Sequence, residues 1–187
     1  MGISIGLDVS TSCTGWCIVG PGGGLVEMGY IPLSSKKSLY QKAQEVRCAL
    51  SELHIRHEIE HVYIEENLQA FRPGLSSAKT LLTLARFNGI VGYISQQEFY
   101  TAPTYVNVNA ARKAVGLKII SKRKGGAPTK EQVLDWVVSR LSAAAYEWPT
   151  KVLKSGPRKG LEVLEPGCFD AADAYVIAQA GPILSSN

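Results

Sequence analysis

Residues 3–10 alternate strictly: Ile3, Ile5, Leu7 and Val9 fall on one side of an extended chain, and Ser4, Gly6, Asp8 and Ser10 on the other. A period of two predicts a strand. The turn Thr11-Ser-Cys-Thr-Gly15 leads into a second apolar run, Trp16 to Val19, and Gly20-Pro-Gly-Gly-Gly24 turns the chain into a third, Leu25 to Ile31. Strands joined by turns this short pair with their sequence neighbours as an antiparallel meander.

The pattern then changes. Leu39, Ala43, Val46, Leu50 and Leu53 recur at helical spacing between Ser38 and about Arg56. His61 to Glu65 reads as a short strand, Ser76 to about Gln97 as a long helix, Thr104 to Val108 as a strand, and the chain from Asn109 as a short helix. Thr129 with Gln132 three residues later predicts a capping box opening a helix that runs to about Tyr146. A last helix spans about Phe169 to Ala180. Three antiparallel strands followed by strands separated by helices predict an α/β fold: a mixed five-stranded sheet, strands 1–3 antiparallel, flanked by helices. A single domain is expected over 1–187, with basic loops near 117–128 and 147–167.

With 187 residues, 45% of them hydrophobic, the chain can bury a substantial core, which excludes a disordered tail or a disulfide-stapled miniprotein. No apolar run approaches the ~20 residues of a membrane span. The start Met1-Gly-Ile-Ser-Ile-Gly6 has neither a signal-peptide pattern nor the Ser or Thr of a myristoylation signal. A soluble intracellular protein is expected, with no membrane partner. Cys13, Cys17, Cys48 and Cys168 form no C-x-x-C pair, so reduced thiols are expected. His54, His57 and His61 lie far from any cysteine pair of zinc-ligand spacing.

Charge is unevenly placed on this +4 chain. Residues 99–130 hold no acid and seven bases: Arg112, Lys113, Lys118, Lys122, Arg123, Lys124 and Lys130. Residues 151–161 add Lys151, Lys154, Arg158 and Lys159, again without an acid. Basic tracts on an otherwise acidic chain point to a polyanion partner, with solvated lysine-rich loops as the plainer reading.

The acids are the sharper signal. Of only four aspartates, Asp8 interrupts the first strand, and Asp170 and Asp173 stand at i and i+3 in the apolar segment Phe169-Asp-Ala-Ala-Asp-Ala-Tyr-Val-Ile177. That spacing puts both carboxylates on one helix face. Glu65 and Glu66 end the strand Val62-Tyr-Ile64, and pattern alone leaves open which of the two faces the site. Each acid has an ordinary reading as a helix-start, turn or strand-end residue. Gathered at one sheet edge they repel one another unless cations neutralise them. An oxygen-only donor set favours Mg²⁺ or Mn²⁺, and two such ions form a clamp for phosphoryl displacement.

The sequence resembles the RuvC family of Holliday-junction resolvases, in the RNase H-like superfamily, as a divergent member of a kind often found in phage or organelles. Ile5-Gly-Leu-Asp-Val-Ser-Thr-Ser-Cys-Thr-Gly-Trp16 is similar to the family's first strand and turn, and Val62-Tyr-Ile-Glu-Glu66 to its fourth strand. Leu84-Ala-Arg-Phe-Asn-Gly89 is similar to the following helix, and Asp170-Ala-Ala-Asp-Ala174 to the closing signature. The resemblance implies a RuvC-type sheet and catalytic, metal-holding carboxylates at Asp8, Glu65, Asp170 and Asp173. It implies two Mg²⁺ ions, for which Mn²⁺ can substitute, and a homodimer that nicks paired strands of branched DNA to leave 5′-phosphates. It places Lys130 near the scissile phosphate as a further catalytic residue. Arg112, Lys113, Lys118, Lys122, Arg123 and Lys124 are expected to bind nucleic acid. Two departures stand out. Leu68 replaces the family's stacking aromatic, so Phe71 or Arg72 is expected to take its place against DNA, and 147–167 is a basic insertion.

Three other readings share parts of the pattern. Sugar kinases and actin-like ATPases open with a similar strand–Asp–turn–Thr-Gly, but require about twice this length. An RNase H-like nuclease for RNA–DNA hybrids or flaps would keep the same carboxylates. A non-catalytic DNA-binding module would keep only the basic tracts.

Overall fold

The computed structural model describes residues 2–66, 78–142 and 145–186. The meander appears as expected: β1 (Ile3–Val9), β2 (Cys13–Val19) and β3 (Leu25–Pro32). It is followed by α1 (Leu39–Arg56), β4 (Ile59–Glu65), α2 (Ala78–Phe99), β5 (Thr104–Val106), α3 (Val108–Ala114) and α4 (Thr129–Arg140). The chain continues through β6 (Thr150–Val152) and β7 (Glu162–Leu164) into α5 (Gly167–Ser185). The main sheet has the order β3-β2-β1-β4-β5, antiparallel across β1–β2 and β2–β3, and parallel across β1–β4 and β4–β5.

β1 is central, so both of its faces are covered. Ile5, Leu7 and Val9 pack with Val46, Leu50 and Leu53 of α1 and Phe87, Val91 and Ile94 of α2. The small residues of the opposite face admit α5. A Cβ on Gly6 would stand 2.4 Å from the Ala178 nitrogen and 2.5 Å from the Ala174 carbonyl oxygen, so only glycine allows this approach. α5 is apolar nearly all round, with Ala171, Ala172, Ala174, Ala178 and Ala180 fully buried. Its outer side is covered by Ala111 of α3 and Val133, Leu134 and Val137 of α4. Two apolar layers thus flank one sheet, and α5 lies inside the second.

Several expected elements differ in detail. The capping box at Thr129 does not form: Pro128 holds the cap position without a side-chain bond, and Thr129 is the first helical residue. Gln132 works elsewhere. Its Oε1 accepts from the Ile120 amide at 2.8 Å, and its Nε2 donates to the Ile120 carbonyl at 2.9 Å and the Ala127 carbonyl at 2.6 Å. α4 ends at Arg140 rather than Tyr146, because Leu141 turns extended. Tyr146 and Trp148 then fold back edge to face, 4.9 Å apart, onto the core around α5. α3 starts at Val108, capped by Asn107, whose Oδ1 accepts from the Asn109 and Ala110 amides. The segment near 117–128 includes one 3₁₀ turn, Lys122–Lys124. The 147–167 insertion is not a plain loop: β6 and β7 pair antiparallel within it.

Candidate active site

The four predicted acids reach the site from three elements. Asp8 lies near the C-terminal end of β1 and Glu65 at that of β4. The two strands are parallel with Leu7 opposite Ile64, so the acids follow one step later on neighbouring strands. Asn88 of α2 fixes the Glu65 backbone, its Nδ2 donating to the Glu65 carbonyl at 2.9 Å. Asp170 and Asp173 lie in the first turns of α5, only 9% and 7% exposed. Gly15, paired with Asp8 across β1–β2, lets that turn rest on the sheet: a Cβ there would meet the Asp170 carbonyl oxygen at 2.0 Å.

Among the described residues, two cations answer four carboxylates. Lys130 Nζ stands 3.1 Å from Asp170 Oδ1, and Arg112 Nη2 stands 3.4 Å from Asp173 Oδ1. Among the described residues, no other cation pairs with these carboxylates. Burial, reinforced by Glu65, Asp173 and Asp170, pushes the Asp8 carboxyl well above the carboxylate range. Burial and the Asp173 charge push Glu65 up to about 7, against the pull of Arg112, Lys130 and a hydrogen bond with Asp8. Burial also raises Asp173, although Arg112 and Lys130 oppose it. Burial acts to lower the Lys130 ammonium, but its bond to Asp170 and the charges of Asp8 and Asp173 outweigh that and raise it. The Cys13 thiol is likewise raised, by burial and by the charge and hydrogen bond of Asp170.

A cleft opens beside these acids, lined by Asp8, Val9, Ser10, Glu65, Glu66, Leu81 and Leu84. The donor chemistry fits a hard divalent cation: oxygen-only, partly dehydrated and short of positive charge. As they stand, no three acid, His or Cys donors among the described residues form a ready coordination set, and Lys130 and Arg112 hold two of the carboxylates instead.

The predicted nucleic-acid contacts divide. Arg112 is drawn into the carboxylate cluster and is mostly buried, its Nε without a hydrogen-bond partner. Lys113, Lys118, Lys122, Arg123 and Lys124 stay exposed, and a groove lined by Arg112, Lys113, Gly116, Leu117 and Lys118 runs beside α3. Phe71 and Arg72 lie outside the described residues, as does Leu68. Residue-by-residue reading missed Asn88, Cys13 and Gly15. An amide in the apolar stripe of α2 was the available signal for Asn88. Contacts of a thiol and a glycine with a helix more than 150 positions later leave no local signal.

No family model matches the chain. It is 31% identical over 140 residues to the crossover junction endodeoxyribonuclease RuvC of Aliarcobacter butzleri, covering 73% of this chain and 81% of that protein. Among solved structures, Thermus thermophilus RuvC in complex with a Holliday junction substrate superposes with a TM-score of 0.62 at 15% identity, over 100% of this chain and 96% of the other. The yeast mitochondrial Holliday junction resolvase Ydc2 gives a TM-score of 0.54 at 15% identity, over 95% and 76%. The superposition over nearly the whole chain therefore shows a RuvC-type fold. Taken with the identity shared along most of both sequences, it shows that the chain belongs to the RuvC family.

Proposed function

We propose that the chain resolves four-way DNA junctions as a Mg²⁺-dependent endonuclease, cutting by paired nicks that leave 5′-phosphates. What supports this reading most is the meeting of Asp8, Glu65, Asp170 and Asp173 at one sheet edge, short of positive charge, in a chain of this family.

Asp8, Glu65, Asp170 and Asp173 would hold two Mg²⁺ ions, with Mn²⁺ as a substitute. Bound there, the ions supply Lewis-acid polarisation of the scissile phosphate and ready deprotonation of water. The protein's own groups do the rest. The packing of α5 on Gly15 and Gly6 holds the backbone that carries Asp170 and Asp173 against the sheet. Lys130, with a side chain 59% exposed, is open to a phosphate while tethered to Asp170. Arg112 adds fixed positive charge behind Asp173. The exposed cations at 113 and 118–124 bind the backbone of the arms, so binding weakens steeply with salt. A four-way junction presents two equivalent strands for cutting, which calls for two sites and hence a homodimer.

The test incubates the purified protein with an end-labelled four-way junction, a matched linear duplex and an RNA–DNA hybrid, each in Mg²⁺ and in EDTA, beside Asp8→Asn. Symmetric nicks on the junction alone, lost in EDTA and in the variant, are expected. Cleavage of the hybrid instead would move the activity to the ribonuclease branch. Junction binding without any cleavage would leave a binding module. Sedimentation of the free protein is expected to show a dimer.

A further inference from the structure

We infer that the β6–β7 hairpin is a second, separate DNA-binding element that grips the phosphate backbone of a duplex arm beside the cutting site; this rests on the nuclease reading above. The hairpin and its tip, 150–164, hold four cations, Lys151, Lys154, Arg158 and Lys159, against a single acid, Glu162. Glu162 pairs with Val152 at the tip end of the ladder and accepts a hydrogen bond from the Thr150 hydroxyl. All four cations are exposed, and among the described residues none of them forms an ion pair. A free basic protrusion of this kind is a polyanion contact rather than part of a surface charge network.

The tip is built, not merely basic. Beyond the ladder, the Leu153 amide donates to the Leu161 carbonyl and the Gly160 amide to the Leu153 carbonyl, both within 3.0 Å. Gly156 and Gly160 take the positive φ angles, 81° and 87°, that let the chain reverse there. Lys154, Arg158 and Lys159 are thus presented on a folded scaffold, which reduces the entropy lost on binding.

Its placement ties it to the site. The base is clamped to α5 immediately before Asp170: the Glu165 amide donates to the Pro149 carbonyl at 2.9 Å, the Tyr30 hydroxyl donates to Glu165 Oε2 at 2.5 Å, and the Cys168 thiol donates to the Pro149 carbonyl at 3.4 Å. Leu153, Arg158, Val163 and Leu164 share a groove with Leu134 of α4, the helix that carries Lys130 to Asp170. Glu131 and Asp135 also line that groove with Arg158. The exposed apolar residues Val152 and Leu161, 58% and 52% accessible, flank the tip and suit the sugar edges of a backbone.

The test is a fluorescence titration of a long-armed four-way junction in EDTA between 50 and 200 mM KCl, with the wild-type chain and with Lys154→Gln/Arg158→Gln/Lys159→Gln. These residues touch none of the four carboxylates, so single-turnover cutting at saturating protein should be unchanged in Mg²⁺. Junction affinity of the variant is expected to fall about 10-fold or more at 100 mM salt. The slope of log K against log salt should drop by about 0.9 for each phosphate that is no longer neutralised. Wild-type affinity and slope in the variant overturn the hairpin's role while leaving the nuclease reading intact. A wild-type chain that neither binds nor cuts the junction overturns both.

Discussion

Gly15 on β2 lies directly against the backbone of Asp170 on α5: a Cβ on Gly15 would stand 2.0 Å from the Asp170 carbonyl oxygen and 2.2 Å from its carbonyl carbon. Backbone meets backbone, so no flexible side chain can yield. Gly15→Ala should therefore lift the first turn of α5 and take the carboxylate with it. The expected cost is about 1–3 kcal/mol of stability, read by urea unfolding. Junction cleavage should fall about 100-fold, because a displacement near 1 Å suffices for that.

Asp8 is a carboxyl that the fold buries among three other acids. Its carboxyl is raised by burial and by three neighbouring acids, so the ionised form strains the metal-free protein. Asp8→Asn keeps the shape and removes the charge. The variant should be more stable than wild type in EDTA at pH 8, by about 0.5–2 kcal/mol, and so unfold at a higher temperature. Its cleavage in Mg²⁺ should fall by at least 100-fold. A variant that is less stable in EDTA would contradict the electrostatic account.

The Glu65 carboxyl titrates near 7 in the folded protein, against about 4.5 for an unperturbed carboxyl. The folded chain therefore holds a proton that the unfolded chain has released across that interval. This contribution is fully present below pH 4.5 and is lost as pH rises through 7. Melting temperature in EDTA should decline over that window, once other titrations are subtracted with Glu65→Gln as reference. Mg²⁺ binds the ionised acids, so the rise it produces should be larger at pH 8 than at pH 5.

Gln132 ties the basic segment to α4 through the two backbone groups of Ile120 and the Ala127 carbonyl. Gln132→Ala should free that segment without unfolding the helix. Amide exchange at Ile120 is the direct readout, and it should quicken about 10-fold, the equivalent of one hydrogen bond worth about 1.4 kcal/mol. Junction affinity should fall with it, because Lys122, Arg123 and Lys124 lie between the two anchored points.

The sequence by itself determined the elements and the identities of the acids. Period two in Ile3–Val9 and short turns at 10–15 and 20–24 set the meander, since a strand's side chains can satisfy only two faces. Carboxylates in apolar runs at Asp8, Glu65, Asp170 and Asp173 stood out because burying such groups is costly without a cation. Tertiary structure alone decided which groups share the site. Pattern allowed Glu65 or Glu66; the parallel register of β1 and β4 sets Glu65 one step from Asp8. Arg112 read as one of several DNA contacts, yet the packing of α3 on α5 turned it inward to Asp173. The capping box at Thr129 and Gln132 was correct local chemistry that lost to a distant partner, because Gln132 satisfies three backbone groups in the 120–127 segment and at most one at a cap. The insertion at 147–167 showed only its charge in sequence. Its hairpin depends on pairing across a long, glycine-bearing tip and on anchors from Tyr30 and Cys168, contacts whose sequence separation no local pattern encodes.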